Sequence, residues 1–136
     1  MPSENLLKLP SSTDPLHVKR RGLDILNDPW LNKGTSFKLA ERQELGLSGL
    51  LPPFIADMEE QVQRVKENYA HHADPLDKYI FLTGLADRNV TLFYRFLMEN
   101  LVETTPIMYT PTVGKACQKF GHIYRKNRGL YLQHRH

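Results

Sequence analysis

The chain has 136 residues, 40% of them apolar and 24% charged, with a formal charge of +3. That is the length of one domain with a modest core, in the ordinary proportions of a soluble globular protein. The small positive excess does not call for nucleic acid, and it suits an anionic ligand or partner such as a carboxylate or phosphate.

Residues 1–16 are polar and punctuated by Pro2, Pro10 and Pro15, which reads as a mobile arm. Met1-Pro-Ser-Glu-Asn5 has neither the basic start nor the apolar stretch of a secretory signal, so Asn89-Val-Thr91 is read as an unmodified glycosylation acceptor. No apolar run reaches membrane-spanning length, and no membrane partner is expected. His17-Val-Lys-Arg-Arg21 is a solvated basic patch. Leu23, Ile25 and Leu26 form an apolar island before a turn at Asn27-Asp-Pro29, and Trp30 with Leu31 gives the arm an anchor. A helix is predicted from Leu39 to Leu45, ended by Gly46, with its start open between Ser36 and Lys38. Leu47, Leu50 and Leu51 then sit in a loop too apolar to stay in solvent.

Pro52-Pro53 leads into a long helix whose apolar stripe is Ile55, Met58, Val62, Val65 and Tyr69, supported by a Glu60–Arg64 pair. It stops near His71-His72. Adjacent histidines point about 100° apart on a helix and no third ligand is evident, so they are read as a solvated helix end rather than a metal site. Asp74 caps a helix from Pro75 with Leu76, Tyr79, Ile80 and Leu82 inward, and Gly84 weakens its far end. Asp87 reads as the cap of a further helix through Val102, with Val90, Phe93, Tyr94, Leu97 and Leu101 inward.

Between Pro106 and Pro111, Ile107, Met108 and Tyr109 are too few for a helix and suit one extended strand. Thr110 stands at an N-cap position and Pro111 at the first helical one. Val113, Ala116, Cys117, Phe120 and Tyr124 then form one buried helical stripe, which makes the single cysteine a small core residue and excludes an internal disulfide. Tyr109 is thus held where a strand meets a helix, beside backbone N–H groups that favour negative charge. Spacing alone also fits a boundary aromatic filling the core. Gly129-Leu-Tyr-Leu-Gln133 reads as a second strand. The expected fold is mainly α, with four to five helices and one or two short strands near the C-terminal end.

Pro106-Ile-Met-Tyr-Thr-Pro-Thr-Val-Gly114 resembles the signature of malic enzymes. Leu31-Asn-Lys-Gly34, Glu41-Arg42, Gly49-Leu-Leu-Pro-Pro53, Asp87-Arg-Asn89, Leu92-Phe-Tyr-Arg95 and Arg128-Gly129-Leu130 match the same family in the same order. The likeness runs from about Gly22 onward and covers that family's N-terminal, mainly helical domain. It departs at Lys38, Val90 and Thr105, where the family often has threonine or serine, glutamate and methionine. The resemblance implies a helical domain over 17–128 and, over 129–136, the start of a strand belonging to a following domain.

The family converts L-malate and NAD or NADP to pyruvate, carbon dioxide and the reduced coenzyme, with Mg2+ or Mn2+. By that resemblance Tyr109 is the general acid that protonates enolpyruvate. A phenol is a weak acid at neutral pH, so the role needs a neighbouring cation. In the family this is a lysine base, which with the metal ligands, the malate-binding arginine and the dinucleotide-binding glycines falls beyond position 136. The chain has no G-x-G-x-x-G and no clustered carboxylates at metal spacing, so no cofactor-binding or metal residue is expected within it, nor activity from it alone.

Some animal members bind fumarate as an activator near a subunit interface, and the corresponding residues are Gln61, Arg64 and Arg88. Gln61 and Arg64 stand at i and i+3, and arginine grips carboxylates well. Against this, Arg64 could pair with Glu60 or Glu67, and Arg88 could be plain surface. The resemblance also implies a homo-oligomer, in the cytoplasm or the mitochondrial matrix. The rival functions are a non-catalytic oligomerisation or effector-binding module, and a nucleic-acid binder using Lys19-Arg-Arg21 and Arg125-Lys-Asn-Arg128. The basic patches are too short to favour the latter.

Overall fold

The computed structural model describes residues 16–134; the expected arm lies almost wholly outside them. Helix α1 (Leu23–Leu26) and a 3-10 turn at Gly34–Ser36 precede α2 (Leu39–Glu44). Then come α3 (Met58–His71), α4 (Pro75–Arg88), α5 (Val90–Glu99), α6 (Leu101–Met108), α7 (Thr112–Gln118) and α8 (Phe120–Ile123). The mainly helical class holds, but eight helices form among the described residues where four to five were expected. Asn100 and Lys119 each divide a run, Leu23–Leu26 closes a turn of its own, and no strand occurs among the described residues.

A small core of Ile25, Phe37 and Leu47 closes the first part of the chain, with Val18, Leu26, Leu31, Leu45 and Leu51 packed on it. Beneath this loop region lies Arg42, only 5% exposed. Its guanidinium donates to the carbonyls of Phe37, Pro52, Thr35 and Phe54 at 2.7–3.1 Å, with no carboxylate partner among the described residues. Four converging carbonyls offset the cost of burying the charge.

The larger core joins α3, α4, α5 and α6 through Val62, Val65, Tyr69, Leu82, Leu85, Leu92, Phe93, Phe96 and Ile107. Each large apolar side chain buried there contributes about 2 kcal/mol. Asp57 starts α3 in a reciprocal cap: Glu60 N–H donates to Asp57 Oδ1 at 2.8 Å, and Asp57 N–H to Glu60 Oε2 at 2.9 Å. That carboxylate is therefore turned to the backbone, and the expected Glu60–Arg64 pair does not form. Asp74 caps α4 as expected, accepting from Leu76 N–H at 2.7 Å. The helix passes through Gly84 to Arg88, because packing against α5, α6 and α7 outweighs the propensity cost of one glycine.

Several expectations need correction. Asn89, not Asp87, caps α5, its Oδ1 accepting from Leu92 N–H at 3.1 Å. The buried face is Leu92, Phe93 and Phe96, while Tyr94 and Leu101 are exposed. Residues 92–97 are apolar on nearly every side, so the partners decide the rotation: Tyr69 meets Phe96 at 5.3 Å between ring centroids. The helix also breaks at Asn100, whose amide donates to the Phe96 carbonyl at 2.9 Å and closes α5 early.

Ile107 and Met108 are helical rather than extended, and Pro106 lies inside α6. Its missing N–H leaves the Val102 carbonyl without its helical partner, at a residue 92% exposed where water is at hand. Pro111 precedes α7 and Thr112 opens it; Thr110 makes no cap. Of the stripe expected on α7 and α8, Ala116 is buried, but Cys117, Phe120 and Tyr124 are exposed because the helix breaks at Lys119. Finally, residues 129–134 are irregular and not a strand.

Candidate functional site

Tyr109 stands directly after α6, with 67% of its surface exposed. Its backbone joins two helices: its N–H donates to the Thr105 carbonyl at 2.8 Å, and its carbonyl accepts from Val113 N–H at 2.9 Å. Ile107 on one side and Thr112 on the other are buried, so the junction is anchored while the phenol points away from the core. The backbone is fixed at this junction, and the phenol is open to whatever packs against it.

Gln61, Arg64 and Arg88 come together around one open cavity of about 270 Å3, which Tyr109 does not line. Val65, Phe81, Leu85 and Leu92 give it apolar lining, and Asn32, Thr35, Asn68 and Asn89 polar lining. The volume suits a ligand smaller than a drug-sized molecule.

The three residues are held differently. Gln61 is 7% exposed and spends its Nε2 donors on the Lys33 carbonyl at 3.1 Å and Thr35 Oγ1 at 3.2 Å. Its buried Oε1 has no hydrogen-bond partner among the described residues. Gly34 leaves room for that amide: its φ is +56°, and a Cβ there would stand 3.3 Å from Gln61 Nε2. Lys33 and Glu41 pair at 2.6 Å beside this turn. Burial acts to raise the Glu41 carboxyl, but bonds from Lys33 and the Lys38 N–H outweigh it and hold it below its ordinary value.

Arg64 lies over the Phe54 ring, 5.1 Å from the centroid, and not against Glu60 or Glu67. Arg88 reaches along α4 over Gly84, and its side chain also lacks a carboxylate among the described residues. Two guanidinium groups lining one cavity, without acidic partners among the described residues, have the chemistry to grip an anion with two acidic groups.

Sequence reasoning missed Asn32 and Phe54. Asn32 Nδ2 donates to the Arg88 carbonyl at 2.9 Å, and its Oδ1 accepts from Gly34 N–H at 2.8 Å. Two of the recognised motifs, Leu31-Asn-Lys-Gly34 and Asp87-Arg-Asn89, therefore meet at this bond, which is the signal that could have pointed to it. Phe54 carries no such mark; it is placed by the bond from Arg42 to its carbonyl.

The other candidates separate. His71 Nδ1 lies 2.7 Å from the Glu67 carbonyl, while His72 stacks on Phe81 at 5.2 Å. Asn89 is 5% exposed, which closes it to a glycan. Among the described residues no group of three His, Cys, Asp or Glu could hold a metal ion, and no helix is long and apolar enough to cross a membrane.

The family profile described as "Malic enzyme, N-terminal domain" matches residues 86–136, a stretch that includes Arg88, Tyr109 and Arg128. The chain is 51% identical over 115 residues to "Malic enzyme, hydrogenosomal" of Neocallimastix frontalis, covering 85% of this chain and 19% of that protein. It is 54% identical over 112 residues to "NAD-dependent malic enzyme 3" of Bacillus subtilis, covering 82% and 20%. Against "NADP-dependent malic enzyme, mitochondrial" of Homo sapiens it is 43% identical over 131 residues, covering 96% and 22%. The chain thus spans about a fifth of the length of these relatives.

Proposed function

We propose that this chain, which belongs to the malic-enzyme family by its likeness to that family's N-terminal domain, supplies the general acid of an enzyme that oxidatively decarboxylates L-malate. The products are pyruvate and carbon dioxide, with reduction of NAD or NADP, the coenzymes in the relatives' names. The acid is Tyr109, and its exposure at the α6–α7 junction is the observation that carries this reading. In that role the phenol gives its proton to the carbon left electron-rich by decarboxylation, and the anchored backbone limits the positions from which it does so.

The described residues do not fit a site for Mg2+ or Mn2+, and no step is assigned to a metal within them. We propose that turnover needs further residues, since this chain spans about a fifth of the length of the relatives named above. The test has two arms. The purified 136-residue chain should give no malate-dependent NAD(P)H signal. Tyr109→Phe, in a malic enzyme carrying this sequence, should lose most of its kcat. Activity from the chain alone would overturn the incompleteness, and an unimpaired Tyr109→Phe enzyme would overturn the role of the tyrosine.

A second reading is favoured by the two arginines on one cavity: Gln61, Arg64 and Arg88 form a site for fumarate as an effector, with Gln61 shaping the wall. Calorimetric titration of the chain with fumarate tests it, and no heat above that of Arg64→Ala would remove it. We also place this chain in a homo-oligomer, since Tyr94, Met98, Leu101 and Val102 expose an apolar surface along α5 and α6. Light scattering that finds only monomer would oppose that. The proposed compartment is the cytoplasm or the mitochondrial matrix; the named relatives include mitochondrial and hydrogenosomal forms.

A further inference from the structure

On the last turns of α4, Thr83 and Asp87 share one strip of the helix, and Gly84 and Arg88 share the next. From α4 the cavity is lined by Phe81, Leu85 and Arg88, so the second strip ends at it through Arg88. The first is gripped from outside. Arg128 makes an ion pair with Asp87 Oδ1 at 2.7 Å and donates to the Thr83 carbonyl. Lys126 Nζ donates to the Asp87 carbonyl at 3.2 Å. That carbonyl is one of those a helix leaves unpaired at its C-terminus, where cations are favoured. Asn32 holds the Arg88 carbonyl, and Val90 N–H donates to Pro29 at 2.9 Å. Asp87, Arg88 and Val90 each carry a bond to a residue distant in sequence.

We propose that Arg128 is a positioning residue for the anion cavity. Its hold on Thr83 and Asp87 sets the rotation of the last turn of α4 and so aims Arg88 at the ligand. Occupancy of the cavity is thereby linked to the segment 126–129. Only the ligand arm of this inference rests on the fumarate reading; the grip itself does not.

The test uses the full 136-residue chain with Arg128→Ala and Arg128→Lys. Amide hydrogen exchange at Asn89 and Val90 should quicken about fivefold in Arg128→Ala, with α3 unchanged, and Arg128→Lys should restore part of the difference. Calorimetric affinity for fumarate should fall by a similar factor. Trp30 supplies a third signal, being the one tryptophan of the chain and lining a second cavity together with Asp87 and Arg128. Its emission should respond to fumarate in the parent chain and not in Arg128→Ala. Unchanged exchange at Asn89 and Val90, or exchange quickened through every helix alike, overturns the proposal. If the parent chain binds no fumarate, the effector reading falls by itself, and exchange still decides whether Arg128 holds Arg88 in place.

Discussion

Arg64 rests over the face of Phe54 at 5.1 Å, although Glu60 and Glu67 lie within one turn of it on the same helix. Glu60 is occupied at the Asp57 cap, and Phe54 is fixed through its carbonyl by Arg42. A guanidinium on an aromatic face keeps its in-plane donors free, whereas one paired with a carboxylate does not. In the proposed fumarate reading, this contact is what leaves the Arg64 donors to the anion.

Phe54→Ala should therefore weaken fumarate binding without abolishing it. A half-exposed cation–π contact is worth about 0.5–1 kcal/mol, or roughly two- to fivefold in affinity. Arg64→Ala should reduce binding further, and calorimetry on both variants would give the order.

Tyr109→Phe should separate activity from stability. With the side chain 67% exposed, the melting temperature should barely move, since surface changes away from special contacts stay within about 0.5 kcal/mol. In an enzyme carrying this sequence, kcat should fall by roughly 10²–10⁴-fold. Equal loss of both would point to a structural tyrosine.

Arg42→Met keeps much of the side-chain volume but strands four carbonyls around a buried position. The expected loss is about 3 kcal/mol, read from denaturant midpoints at unchanged m-value. Arg64 should also lose its platform, so fumarate affinity should drop in the fraction that remains folded.

Tyr69 gives a prediction in pH. Tyr69 is 2% exposed and its hydroxyl lacks a hydrogen-bond partner among the described residues; burial first, and Glu103 second, raise its pKa above the ordinary 10.0. The neutral phenol is thus favoured in the folded state, and this contribution is complete below pH 10. Above it the unfolded chain ionises first, and stability should fall as the pH rises toward the folded value. Tyr69→Phe should remove that alkaline slope and be near neutral at pH 7, since it deletes a buried hydroxyl that has no bond to lose.

Gly34→Ala should destabilise by about 1 kcal/mol, because alanine resists the positive φ and its Cβ crowds Gln61 Nε2. Thermal melts would measure this. Gln61→Ala made in addition should recover the crowding part only.

The sequence by itself determined the helical class, the Asp74 cap and Pro75 start of α4, the reach of α3 to His71, and the motifs that join this chain to its family. These depend on local spacing and capping chemistry, which act within a few residues. It also brought out Gln61, Arg64 and Arg88 together, but through resemblance and not through any local pattern. Only the tertiary structure decided which face of α5 is buried, since residues 92–97 are apolar on most sides and Tyr69 selects one of them. It alone showed Ile107 and Met108 to be helical, with Pro106 tolerated at an exposed turn, and Cys117 and Phe120 turned outward by the break at Lys119. The arginine on Phe54 and the grip of Arg128 on α4 likewise join residues 10 and 41 positions apart, beyond the reach of helical periodicity. Their geometry is set by how separate segments pack, a competition among contacts that no single stretch of chain contains.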